Sequence, residues 1–271
     1  MDEKQNFQPL QLTSREGTIY LPTDSPGQTK KPVAHPTLLR HLMIMIVACT
    51  WFVSPVYAAE LKDVIATLEQ GYNSLADLQA DFTQRTVIAS MKREERGKGV
   101  LFLKKSTGSS AMFRFNYTKP LQQIVSDGRR VWYYLADNKQ VMVSDVAALF
   151  TGGNGIALNY LTGLGHVSRD FTISFAGDGR DQRGNYVLEL VPKKQNQVMT
   201  RLRLTIALSA VEQFRKSGKP SALFPVLSSE VDDPFGNRTI IDFSRVKINQ
   251  GLANDRFAFK IPDGVEVIKN R

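Results

Sequence analysis

From residue 78 onward apolar and polar positions alternate. Leu202, Leu204, Ile206 and Leu208 are separated by Arg201, Arg203, Thr205 and Ala207, the period of a strand with one buried face. The same rhythm predicts strands over 78–88, 99–103, 112–117, 139–143, 170–175, 185–191, 201–208, 227–231, 238–246 and 256–260. In 112–117 Phe113, Phe115 and Tyr117 share a face, with Arg114 and Asn116 on the other. Asp178-Gly179, Phe235-Gly236-Asn237 and Asn254-Asp255 supply turns between strands. Before residue 77 the period is helical. Leu61, Val64, Ile65, Leu68, Tyr72 and Leu75 recur at spacings of three and four, which predicts a helix over 61–75. One helix followed by many short strands predicts a mainly β, α+β chain built on an antiparallel meander, open or closed into a barrel.

Two regions depart from simple alternation. IVSDGRRVWYYL (124–135) reads as a hairpin, with Asp127-Gly128 as a two-residue turn and Ile124 opposite Val131. One face then carries Ile124, Val131, Tyr133 and Leu135, the other Val125, Trp132 and Tyr134. A sheet with one wet face should not be apolar on both, so the second face needs a cover, either protein or ligand. The second region, 144–166, reads as two short helices, VAALF and IALNYL, with Gly152, Gly153 and Gly155 between them and Gly163 and Gly165 after. Glycine loosens such joints. The pair suits a movable cover and equally a pair of ordinary crossover helices. Residues 209–226 read as a loop holding a strand or short helix.

The N-terminal region changes what is expected to fold. LMIMIVACTWFV (42–53) is too short an apolar run to span a bilayer and suits the middle of a signal peptide, with Val56-Tyr57-Ala58 placing cleavage after Ala58. Ile46-Val47-Ala48-Cys49 loosely resembles a lipidation site, but the apolar run continues past the cysteine. Residues 1–58 are therefore expected to be a non-folded extension plus leader, and 59–271 a single domain. The polar stretch before residue 36 reads as an over-extended gene start. Without the leader, 30 basic residues face 22 acidic ones, a balance of +8. Such a balance suits nucleic acid or anionic lipid, yet no zinc-ligand set, RNA-binding aromatic signature or arginine-rich recognition helix accompanies it. A diffusely basic exported domain is the plainer reading.

The inventory also narrows the chemistry. The sole cysteine, Cys49, lies in the leader, and only His166 remains of the histidines. Thiol catalysis and a histidine-rich metal site are thereby excluded from 59–271, and His166 has no nucleophile-elbow motif to serve. Asp232-Asp233 and Asp77 with Asp81 are the acidic pairs, and the first precedes a proline as a turn would. Catalytic residues, metal and cofactor are all expected to be absent. A pocket for an apolar ligand would account for the surplus of apolar strand positions.

At this point the residues resemble a family. DLQADFTQ (77–84), G-x-LFLK (99–104), FRFNYTKPLQQIVSDGRRVWYY (113–134) and DDPFGNRTIIDFSRVKINQGLANDRFAFKIPDGVEVI (232–268) resemble, in order and spacing, the periplasmic outer-membrane lipoprotein carriers of the LolA family. The resemblance implies a half-open antiparallel barrel closed by a helical lid, working as a monomer without cofactor, metal or nucleic acid. Acylated lipoproteins would be the cargo. They would be received from an ATP-driven inner-membrane release complex and passed to an outer-membrane acceptor. Cavity residues are expected at Leu101, Leu103, Phe113, Phe115, Ile124, Val131, Tyr133 and Leu135, with Trp132 and Tyr134 as the alternative face. Phe113 falls where the family places an aromatic contact to the lid. Lys105-Ser106 stands where the family usually has Arg-Pro, which makes Lys105 the candidate lid latch, without arginine's planar fork. Gly152, Gly153, Gly155 and Gly163 are the expected lid hinge. A carrier of a different lipid, or a lipid or unfolded-protein sensor of the same fold, is the alternative.

Overall fold

The computed structural model describes residues 55–105, 111–146, 166–194 and 199–269, with side chains from Glu60 onward. Twelve strands form one sheet: β1 (Asp77–Ile88), β2 (Arg93–Lys104), β3 (Met112–Lys119), β4 (Leu121–Ser126), β5 (Arg130–Leu135), β6 (Gln140–Asp145), β7 (Phe171–Arg180), β8 (Tyr186–Pro192), β9 (Arg201–Ile206), β10 (Val226–Asp232), β11 (Arg238–Ile248) and β12 (Glu266–Lys269). Their spatial order is β12-β6-β5-β4-β3-β2-β1-β11-β10-β9-β8-β7. The sheet is thus two antiparallel meanders, β1–β6 and β7–β11, joined where β1 pairs with β11. Among the described residues it is open: β7 and β12 are its edges, and no pairing closes it into a full barrel.

Helix α1 (Pro55–Asn73) precedes the sheet, α2 (Val167–Asp170) leads into β7, and α3 (Leu208–Ser217) follows β9. Val64, Leu68 and Tyr72, at the helical spacing of the sequence, join Phe82, Leu101, Phe115, Leu188, Leu204 and Ile206 in one buried cluster. That cluster defines the inner face of the sheet. An ion pair ties α1 to α3, and a hydrogen bond with the Arg180–Glu60 ion pair beside it ties α1 to the second meander. Arg215 Nε donates to Asp63 at 2.7 Å, and Tyr186 Oη donates to Glu60 at 2.6 Å. Close packing also limits Gly99. A Cβ there would lie 2.0 Å from the Asn116 carbonyl oxygen, at the bulge where β2 meets β3.

Three local expectations are corrected. In the 124–135 hairpin Ser126, not Ile124, lies opposite Val131, and Ile124 lies opposite Tyr133. The turn is longer than two residues because Asp127 folds its carboxylate back onto the amides of Arg129 and Arg130, each at 2.8 Å. Only Gly128 has positive φ there. The slip is an even number of residues, so each side chain keeps its expected face. Second, 256–260 is not a strand. Asn254–Phe257 is a 3-10 turn, and the terminal strand is β12, which pairs in parallel with β6. Third, β9 ends at Ile206, so Leu208 opens α3 rather than closing the strand. The two short helices expected at 144–166 fall mostly outside the described residues.

Candidate functional site

Register builds the site across the first meander. Leu101 pairs with Phe115, Phe115 with Ile124, Ile124 with Tyr133, Tyr133 with Met142, and Met142 with Ile268. These residues form one row on the inner face, running across the strands. At the β2 end the row is sealed: Leu101 and Phe115 are each 1% exposed. From Ile124 through Tyr133 and Met142 to Ile268 it is only half-buried. At about 4.8 Å between strands, that half-buried part spans roughly 14 Å.

The neighbouring rows differ in kind. On one side Leu103 and Phe113 lead through buried Ser126 to Val131 and Ser144. On the other, Tyr117, Gln122, Leu135 and Gln140 make a polar margin. Tyr117 Oη donates to Gln84 at 2.7 Å, and Tyr133 Oη donates to Gln122 at 3.1 Å. Burial, then nearby Glu95, raises the Tyr133 phenol above its ordinary pKa, so it remains a neutral donor. Phe82 locks the sealed end. Its ring meets Phe115 edge-on at 5.3 Å and Tyr117 at 4.8 Å, a geometry that aromatic quadrupoles favour.

The outer face of the same strands is covered by protein. Phe259 lies against Trp132 and Tyr134, with ring centroids 6.2 and 5.7 Å apart. Phe102, Leu252 and Phe257 form a second small core, with Val100 and Met112 packed on it. Arg114 donates to the carbonyls of Arg256 and Ala258 at 3.1 and 3.3 Å, holding this C-terminal strap in place. Its root is fixed by Asp77. That carboxylate is 3% exposed and accepts from the amides of Gln250, Gly251 and Leu252 at 2.8, 2.8 and 3.2 Å. The strap is therefore the cover that the second apolar face required.

The expected cavity residues thus fall into two sets. Leu101, Leu103, Phe113, Phe115 and Val131 lie within the main core, and Ile124 packs against it. Tyr133 and Leu135 lie further out and half-buried. Sequence reasoning did not include Met142 or Ile268. The alternation of 139–143 contained the signal for Met142. Ile268 is placed by a parallel pairing that no local pattern announces. Lys105 sits at the end of α1. Its Nζ donates to the Tyr72 carbonyl at 2.5 Å and the Asn73 carbonyl at 3.3 Å, and lies 4.5 Å over the Tyr72 ring. A cation there complements the partial negative charge of a helix C-terminus. Burial lowers the lysine's pKa below the ordinary value and raises that of the Tyr72 phenol. The hinge glycines Gly152, Gly153, Gly155 and Gly163 lie outside the described residues. The acidic pairs have structural partners: Asp232 binds Arg201 and Arg238, Asp233 caps its own turn, and Asp81 pairs with Arg245.

Comparison with known proteins supplies the remaining constraint. Residues 73–260 match the family model described as outer membrane lipoprotein carrier protein LolA. The chain is 32% identical over 205 residues to an outer-membrane lipoprotein carrier protein of Chromobacterium violaceum, covering 75% of this chain and 86% of that one. It is 29% identical to the protein of that name from Methylococcus capsulatus, covering 86% and 98%. Among solved structures it is similar to a LolA superfamily protein from Nitrosomonas europaea, at 12% identity and a TM-score of 0.37, covering 73% of this chain and 97% of that chain.

Proposed function

The chain belongs to the LolA family of outer-membrane lipoprotein carrier proteins, and we propose that it shields lipoprotein acyl chains against the half-buried row Ile124, Tyr133, Met142 and Ile268. The observation that carries this reading is the gradient along that row. Its β2 end is a finished core, while its β6 and β12 end offers apolar side chains that the described residues only half cover. Each methylene withdrawn from water is worth about 0.8 kcal/mol, so a chain of about 15 is worth roughly 12 kcal/mol. A carrier must nearly match that shielding and still release its load. A partly covered row beside a rigid core suits both demands, because chains can enter at the open end without dismantling the core.

In this reading no bond is made or broken, and the work is binding and release. Sealed Leu101, Leu103, Phe113, Phe115 and Val131 give the row its shape. Tyr133 Oη and Gln122 at the margin offer hydrogen bonds to the ester or amide groups where cargo leaves the apolar surface. Lys105, just past the end of β2, ties that strand to the end of α1. The carrier works in the periplasm after its leader is cleaved behind Ala58, which would trim the first turn of α1. It takes cargo from an ATP-driven inner-membrane complex and yields it to an outer-membrane acceptor. The test adds the processed protein to spheroplasts with ATP and measures lipoprotein released in soluble form. Wild-type protein should release it, and Ile124→Glu or Met142→Glu should abolish release while the fold's circular dichroism is retained. Undiminished release by both variants contradicts the assignment.

A further inference from the structure

A groove of about 580 Å³ opens at the other end of β1 and β2, lined by Arg85, Arg96, Lys98 and Lys119 with Asp242 as its acidic member. Its charges are arranged against themselves. Arg85 lies directly opposite Arg96 across β1–β2, and Lys98 directly opposite Lys119 across β2–β3. Like charges in directly opposite positions destabilise a sheet. Glu94 relieves the arginines, at 3.6 Å from Arg85 and 2.7 Å from Arg96. Among the described residues no acid forms an ion pair with Lys98 or Lys119. Even counting Glu94 and Asp242, the groove remains cationic and complementary to an anion.

A second observation identifies the source of that anion. The groove runs from three strand rungs, about 10 Å, at Arg85 and Arg96 to five rungs, about 17 Å, at Lys98 and Lys119 behind the last pair of the β1–β2 tip, so a surface touching both is met by strands lying obliquely on it. Met91 on this tip is 66% exposed, and Phe235 on the β10–β11 tip is 76% exposed. The two tips are one platform. The Ala89 amide donates to Asn237 Oδ1 at 3.0 Å, and Asp233 braces the second turn through the amides of Phe235 and Asn237, each at 2.8 Å. Two apolar side chains projecting from turns fit the fluid interface of a bilayer, where a cationic site behind them meets headgroup phosphates.

We propose that this end of the molecule docks on anionic phospholipid bilayers, with phosphates in the Arg85–Arg96–Lys98–Lys119 groove and Met91 and Phe235 in the headgroup layer. The proposal is independent of the carrier reading. The test is flotation of the processed protein with phosphatidylglycerol vesicles, with phosphatidylcholine vesicles, and with inorganic phosphate as competitor. Wild-type protein should float with phosphatidylglycerol, less with phosphatidylcholine, and less as salt is raised. Replacing both lysines, Lys98→Gln with Lys119→Gln, should weaken binding roughly thirtyfold, about fivefold per cation removed. Met91→Ser with Phe235→Ser should also reduce it, with melting temperatures of both double variants near wild type. Three results would overturn the proposal: wild-type protein that does not float, lysine variants that float equally well, or millimolar inorganic phosphate that displaces the protein completely. The last would make the groove a soluble-anion site.

Discussion

The two meanders of this sheet treat their outer faces in opposite ways. In β8–β11 the outer face is a lattice of ions. Glu189 pairs with Arg203 at 3.0 Å, Arg203 with Glu230 at 3.2 Å, and Arg238 with Asp232 at 2.8 Å. Water covers such a face at no cost. In β2–β6 the outer face is Phe102, Val125, Trp132, Tyr134 and Val141, and the chain spends its last segment covering it. The inner faces differ as well. Leu188, Leu190, Leu202, Leu204 and Ile206 are sealed completely, whereas Ile124, Tyr133, Met142 and Ile268 are not. The second meander is a foundation. The first leaves part of its inner face half-buried and is backed on its outer face by the strap.

Breaking the cover should have the largest effect. Phe257→Ala empties the small outer core and should cost about 4 kcal/mol locally. In protein trimmed to residues 59–271, Trp132 is the only tryptophan, and it rests against Phe259. Its emission should shift to the red as the strap lifts; unchanged emission would mean the strap does not depend on this core. The inner faces come next. Leu204→Ala in the foundation should cost about 3 kcal/mol, against about 1 kcal/mol for Met142→Ala on the half-buried row. Equal losses by urea denaturation would erase the distinction between the meanders.

The smallest effect is electrostatic. The Tyr186 hydroxyl, and then Arg180, hold the Glu60 carboxyl below the usual carboxylate range despite its partial burial. A depressed folded pKa means that the stabilisation is complete above the ordinary carboxylate pKa and is lost as pH falls through the lowered value. Glu60→Gln should therefore cost about 1 kcal/mol at neutral pH. Thermal melts of variant and wild type should converge in acid, and a gap that persists or widens there would refute the link between α1 and the second meander.

Much of the fold was legible because strand parity is a local property. That Leu101 shares a face with Leu103, and Phe113 with Phe115, follows from alternation alone, while the resemblance chose which face points inward; the parity held even where the hairpin register moved by an even step at Asp127. What was not legible depends on distant partners. RFAFK alternates as a strand would, but its phenylalanines are claimed by Phe102, Trp132 and Tyr134, and Arg256 gives its carbonyl to Arg114 instead of a ladder. Ile268 reaches the candidate row through the parallel β6–β12 pairing, which is decided far along the chain. Lys105 was singled out by its position in a motif, while its contacts with Tyr72 and Asn73 needed the helix end to be placed.

The central claim is that cargo acyl chains lie on the inner face of the first meander and not on the outer. A photoreactive phenylalanine analogue can be placed at Tyr133 or Met142 on the inner face, and at Tyr134 or Val143 on the outer face of the same strands. After irradiation in living cells, adducts with lipoproteins should form from the first two positions and disappear when the cargo lacks its lipid. Adducts of equal yield from Tyr134 and Val143, or inner-face adducts with unlipidated cargo, would contradict the account.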